Sequence, residues 1–240
     1  MSGLYGRSGV PEGFPKFETA DEVFKNSDII LMTVTDTAIS EVWNRSDKEQ
    51  FNNSNKILCH CSGSLSSEIF TQADSSRVCS VHPMLAFPSK NVPAKTIKNA
   101  FFTIEGGEMA LDAVKELLDI CGNPYREIKA ENKVKYHAAA CFASNFMTAA
   151  CAEAFLLMRE CGFSEDEARR AMTPLIMGNA NNICTRGIEQ SLTGPVSRGD
   201  ALTVEKHMKA LNGKGLKMYK ALSAELAELS EHEEILSILE

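Results

Sequence analysis

Between residues 133 and 148, four polar side chains recur at the spacing of one helix face. At about 100° per residue, Lys133, His137, Ser144 and Thr148 fall within ~40° either side of His137, with Asn145 on the flank. Small residues surround them: Ala138, Ala139, Ala140, Ala143, Ala149 and Ala150. A lysine, a histidine and an amide on one face can hold a small substrate and move its proton. Buried polar groups need partners, so a substrate cleft or a hydrogen-bonded seam between helices would each account for the stripe. A second histidine, His82, ends an apolar run and precedes Pro83. From there it could donate a proton to a carbonyl or imine, position an anion, or be structural. Arg198, inside the turn-rich string 191–200, could bind an anionic substrate or pair with Asp200.

The elements around these residues alternate. Apolar runs at 28–34 and 56–60 read as buried parallel strands, followed by strands at 77–81, 100–104 and 124–128. Helices are expected at 36–45, 66–73 and 108–121, and Thr19 has capping-box spacing for a short helix before them. Pro83, Pro88 and Pro93 keep 83–98 irregular. Strands alternating with helices give an α/β unit over residues 1–129 with a mostly parallel sheet. Residues 130–240 carry no strand pattern and read as an all-α domain. A single long helix covers 131–161, a capped helix runs from Ser164 toward residue 184 with Pro174 kinking it, and further helices follow at 200–211 and 216–240.

Ligands of such sheets bind beyond the carboxyl ends of the strands. Thr35 and Asp36 follow one strand, and Ser62 and Gly63 another, so these four could line a ribose or phosphate as well as cap helices. Residues 3–8 read as the end of a second strand with no first strand before it. An acidic residue there would favour NAD; Arg7, with Ser8, can instead meet the 2′-phosphate of NADP, or be merely solvated.

Composition excludes several classes. A formal charge of -7 and no basic cluster argue against nucleic acid. Hydrophobic residues at 44% and charged residues at 24% suit a globular protein with a sizeable core. The apolar stretch 137–158 contains Ser144, Asn145, Thr148 and Glu153, which favours a buried helix over a membrane span. Eight scattered cysteines and no signal-peptide pattern suggest a reduced, cytoplasmic setting. Cys59, Cys61 and His82 raise a zinc hydrolase as a further alternative, although one-residue spacing is unusual for a metal site. The alanine-rich helix suits close packing across subunits and predicts a homodimer.

The strings HCSGSLSS, VHPMLAFP, KYHAAACFASNF and LTGPVSRGD together resemble a family of Rossmann-like NADP oxidoreductases with a C-terminal helical domain of unknown function. Its layout is similar to pyrroline-5-carboxylate reductase, 6-phosphogluconate dehydrogenase and prephenate dehydrogenase. The resemblance implies NADP (or NAD) held by Arg7, Ser8, Thr35, Asp36, Ser62 and Gly63. It also implies a small-molecule substrate handled by His137 and Asn145, with Lys133 behind them. The residues themselves add His82 as an alternative acid or base, and Ser144 and Arg198 as substrate contacts. Members of the family begin with a strand, a G-x-G-x-x-G turn and a helix that this sequence does not contain. Since the first strand is central in the usual order, its neighbours should be left unpaired. The alternative is therefore a non-catalytic binding or scaffold protein on a degenerate Rossmann fold.

Overall fold

The structure, a computed structural model, describes residues 1–7, 9–87, 89 and 92–240. It divides into two compact units, Met1–Met147 and Thr148–Glu240. The first unit takes in the first turns of the long helix, which reach the sheet through Lys133.

In the first unit five strands form one sheet in the order β1 (Ile29–Met32), β2 (Ile57–His60), β3 (Val78–Pro83), β4 (Phe102–Gly106) and β5 (Tyr125–Glu127). β1, β2 and β3 run parallel, β4 is antiparallel to β3, and β5 is parallel to β4. Among the described residues, the connection from β3 to β4 carries one four-residue helix, α4 (Ala94–Ile97), too little for the helical crossover that a parallel return requires. Strand side chains alternate between faces. Ile30, Met32, Leu58 and Val78 therefore pack on one face with Trp43, Phe51 and Phe70. Ile57, Cys59, Cys79, Val81 and Ile104 pack on the other, under Leu111, Val114 and Leu118 of α5 (Glu108–Cys121). The first face is covered by α1 (Ala20–Asn26), α2 (Asp36–Arg45) and α3 (Lys48–Asn52), the last unforeseen in the sequence.

β1 is an edge. Its Ile29 and Leu31 are 40% and 51% exposed, as the unpaired-neighbour expectation requires. Residues 3–7 do not extend this sheet. Leu4 instead makes an isolated parallel bridge to Lys16, and the glycines and prolines between them allow no longer pairing.

The expected helix at 66–73 is only a 3-10 turn, Ser67–Ile69. Distant partners take its backbone groups. The buried Glu105 carboxylate accepts from the Ser67 amide (2.8 Å) and hydroxyl (2.7 Å), and the Ser66 carbonyl accepts from the His60 ring (3.2 Å).

The long helix forms as α6 (Lys133–Cys141), a π-helical turn (Phe142–Phe146) and α7 (Met147–Glu160). It is the one helix among the described residues long and apolar enough to cross a membrane, and its apolar window is not buried. The expectation of a buried helix is corrected accordingly: Phe142 is 70% exposed, and Phe146 and Met147 are about half exposed.

The second unit adds α8 (Glu165–Arg186), α9 (Ala201–Ala210), α10 (Gly213–Leu229) and α11 (Glu233–Leu239). Ser164 and Glu167 form the full capping box, and α8 continues through Pro174. Val196, Val204, Ala227, Ile235 and Leu239 make the core. The stretch expected as one helix after residue 216 breaks at Glu231, whose φ is +58°.

Candidate active site

Because β1, β2 and β3 are parallel neighbours, their carboxyl ends share one rim, and the chain crosses it at Thr35–Asp36, Ser62–Gly63 and His82–Pro83. Ser62 is the knot of this rim. Its amide donates to His60 Nδ1 (3.1 Å), and its hydroxyl donates to Asp36 Oδ2 (2.7 Å). Its carbonyl accepts from Lys133 Nζ (3.0 Å) and from Ser80 Oγ (3.1 Å). Ser64 Oγ adds a second bond to the same Asp36 oxygen (3.1 Å). With every polar group of Ser62 engaged internally, the residue shapes the rim. Asp36 and Thr35 are exposed beside it.

Lys133 lies beneath this turn and is 1% exposed. Its ammonium also donates to Ser80 Oγ in a short contact. Burial draws its pKa down to about 8, although the Glu105 and Asp36 carboxylates pull the other way. So placed, Lys133 reaches a ligand only through the Ser62–Gly63 turn.

Gly63 faces both histidines. A Cβ on Gly63 would stand 2.5 Å from His137 Cδ2 and 2.9 Å from His82 Cε1 and Nε2. The absence of a side chain is what lets two imidazoles, 6.1 Å apart between centroids, approach one backbone turn. His137 Nδ1 has the Cys141 thiol 4.0 Å away, one helical turn on. His82 Nδ1 meets the hydroxyl of Tyr136 at 2.7 Å, with the rings edge to face. Burial, then the Lys133 and His137 charges, push the His82 pKa to about 4. His60 is also pushed to about 4, chiefly by burial, and both its ring nitrogens are held by backbone groups, which leaves neither for a metal. Cys59 and Cys79 face each other in the core, Sγ to Sγ 3.2 Å, as free thiols.

The structure therefore gathers Asp36, Ser62, Gly63, His82, Lys133 and His137 within the first unit. Ser144 and Asn145 lie on the π-helical turn, which alters the phase of the stripe after Cys141; Asn145 is exposed and Ser144 half-buried. Arg7 is exposed in the turn that Gly6 and Gly9 close, and Ser8 lies outside the described residues. Arg198 belongs to the second unit and is exposed, in a loop that His232 holds through the Ser197 carbonyl (3.3 Å). The neighbouring Asp200 carboxylate caps α9 through Thr203. The residue that sequence reasoning missed is Tyr136. Its one available signal was its i, i+3 relation to Lys133. A groove of about 700 Å3 opens at the far ends of β4 and β5, lined by Lys115, Arg126 and Glu127, but it holds none of these groups.

The fold is that of Rossmann-like reductases. It is similar to protein BF3122 from Bacteroides fragilis (19% identity, TM-score 0.65, covering 84% of this chain and 76% of that one). It is likewise similar to Plasmodium falciparum pyrroline carboxylate reductase with NADP bound (14% identity, TM-score 0.58, 94% and 86%). Protein TM1727 from Thermotoga maritima shares 33% identity over 87% of this chain and 80% of its own, at a TM-score of 0.72. The model of a domain of unknown function, DUF2520, matches residues 100–226. The chain belongs to the DUF2520 family. No curated protein matches it.

Proposed function

We propose that the protein is an NADP-dependent oxidoreductase acting on a small carbonyl, imine or hydroxy substrate. One observation carries this reading: two histidines close on the bare backbone of Gly63 at the rim of three parallel strands, braced by Asp36, Ser62 and Lys133. The rim suits a nucleotide ribose: the Thr35 and Ser64 hydroxyls, the exposed Asp36 carboxylate as acceptor, and close backbone approach at Gly63, which a Cβ would block. NADP, when bound there, supplies or accepts the hydride. Arg7 and Ser8 are proposed for its 2′-phosphate.

The two histidines divide the remaining work. With a pKa of about 4, only about one His82 in a thousand is protonated at pH 7, so His82 acts as a neutral hydrogen-bond donor that polarises the substrate. His137 carries the proton. Lys133 fixes the turn from below. Asn145 and Ser144 orient the substrate. The exposed apolar face at Phe142, Phe146 and Met147 supports a homodimer in which a second copy covers it.

Calorimetric titration with NADPH tests the cofactor; absence of binding overturns the reading. In NADPH-oxidation assays against carbonyl and imine panels, His137→Ala should lower kcat about 100-fold or more with folding intact. Unchanged turnover removes His137 from the mechanism.

A further inference from the structure

Resting on the reading of His82 as a neutral donor, we infer that Tyr136 is the positioning residue that gives His82 its tautomer. The phenol donates to Nδ1, which places the ring proton on Nε2, the atom that faces Gly63 and the substrate.

The assignment follows from the groups around the pair. A phenol is a good donor and a poor acceptor, whereas an unprotonated imidazole nitrogen is a strong acceptor. Burial raises the Tyr136 pKa, so the hydroxyl keeps its proton at neutral pH. Thr103, opposite His82 in the β3–β4 register, also faces the Tyr136 hydroxyl, and a side-chain hydrogen bond from it draws the phenol pKa down against burial. A bond of that sign is one that Thr103 donates to the phenol oxygen, so the Tyr136 proton is directed to His82. The charged groups facing the imidazole are Lys133 and His137 from α6 and Asp36 at the start of α2; the two bases together favour the neutral ring.

Helix geometry delivers the device. Lys133, Tyr136 and His137 stand at i, i+3 and i+4 on α6, so one helix face brings the brace, the tautomer-setting phenol and the proton carrier to a single turn. The edge-to-face packing of Tyr136 on His82, at 83° and 5.7 Å, holds the imidazole plane as well as its proton.

The test reads the tautomer directly. In the full chain labelled with 15N-histidine, long-range 1H–15N spectra at pH 7 should show His82, assigned through His82→Gln, as the single Nε2–H form. Tyr136→Phe, which keeps the ring, should yield a mixture of both tautomers and lower kcat about tenfold at nearly unchanged KM. An Nδ1–H form in the unaltered protein, or an unchanged spectrum in Tyr136→Phe, overturns the inference. Should the variant fail to fold, the unaltered protein alone decides. NADPH calorimetry runs in parallel: if nothing binds while the tautomer result holds, the cofactor reading fails and the tautomer assignment stands.

Discussion

Among the described residues, two histidine–tyrosine pairs have nearly the same internal geometry. His82 and Tyr136 meet at 2.7 Å, with ring centroids 5.7 Å apart and planes at 83°. His207 and Tyr219 meet at 2.9 Å, with centroids again 5.7 Å apart and planes at 87°. The difference lies outside the pairs. The first is half-buried at a strand end, with an inaccessible ammonium, a second imidazole and a bare glycine around it. The second joins two helices, α9 and α10, on an exposed surface. Hydrogen-bond geometry alone thus defines no site. What sets the first pair apart is a half-buried setting that disfavours the charged imidazole, together with an approach to backbone that has no side chain.

The sharpest way to break this contrast is to remove each imidazole in turn. His82→Gln should lower kcat about 100-fold in NADPH-oxidation assays, the usual scale for a lost polarising donor. His207→Gln should leave it within about twofold. Equal losses in the two variants would dissolve the distinction.

Acid should then expose the same asymmetry in stability. His60 and His82 both have pKa values near 4 in the folded protein against 6.5 for an ordinary histidine. Between those values the unfolded chain binds protons that the folded chain does not, so stability is lost as pH falls from 6.5 toward 4. For the fully buried His60 the loss is on the order of 3 kcal/mol. Trp43, the sole tryptophan, lies in the core of the first unit, so its fluorescence in urea melts at stepped pH follows that unit alone. His82→Gln should flatten the slope; a pH-independent midpoint over this window would refute the assignment of both buried histidines.

Gly63→Ala acts on the geometry that unites the pair with His137. The added Cβ forces both imidazoles to move, because His82 is pinned by Tyr136 and cannot simply rotate aside. Displacements near 1 Å cost about 100-fold in rate, while the packing strain should stay at about 1–3 kcal/mol. Paired kinetics and urea melts separate these effects. Gly178 in α8 is the control: nothing lies within 4 Å of its missing Cβ, so Gly178→Ala should leave turnover unchanged.

Much of this arrangement is legible in the sequence because it depends on local rules. Strand ends place Asp36, Ser62, Gly63 and His82 on one rim, and helical spacing joins Lys133 to His137. The Ser164 capping box and the α5 boundaries are equally local. What escaped depends on partners far along the chain. Tyr136 looks like a packing residue until β3 brings His82 to it across 54 positions. The 66–73 segment has helical composition, but Glu105 and His60 claim its amide and carbonyl before a helix can. The helical phase beyond Cys141 changes at a π turn, and no residue type in FASNF announces it.

The smallest expected effect is also the cleanest check on the comparison. Tyr219→Phe removes the same hydroxyl as Tyr136→Phe, from a bond of similar length, but where water can replace it. The net worth of an exposed neutral hydrogen bond is about 1 kcal/mol or less, so the urea midpoint should shift slightly and turnover should not change. Because the lost partner is a hydroxyl in both variants, differences in ring size or helix propensity cancel. A large fall in turnover from Tyr219→Phe would mean that the helical surface at α9 and α10 takes part in the chemistry, and the boundary drawn between the two pairs would have to move.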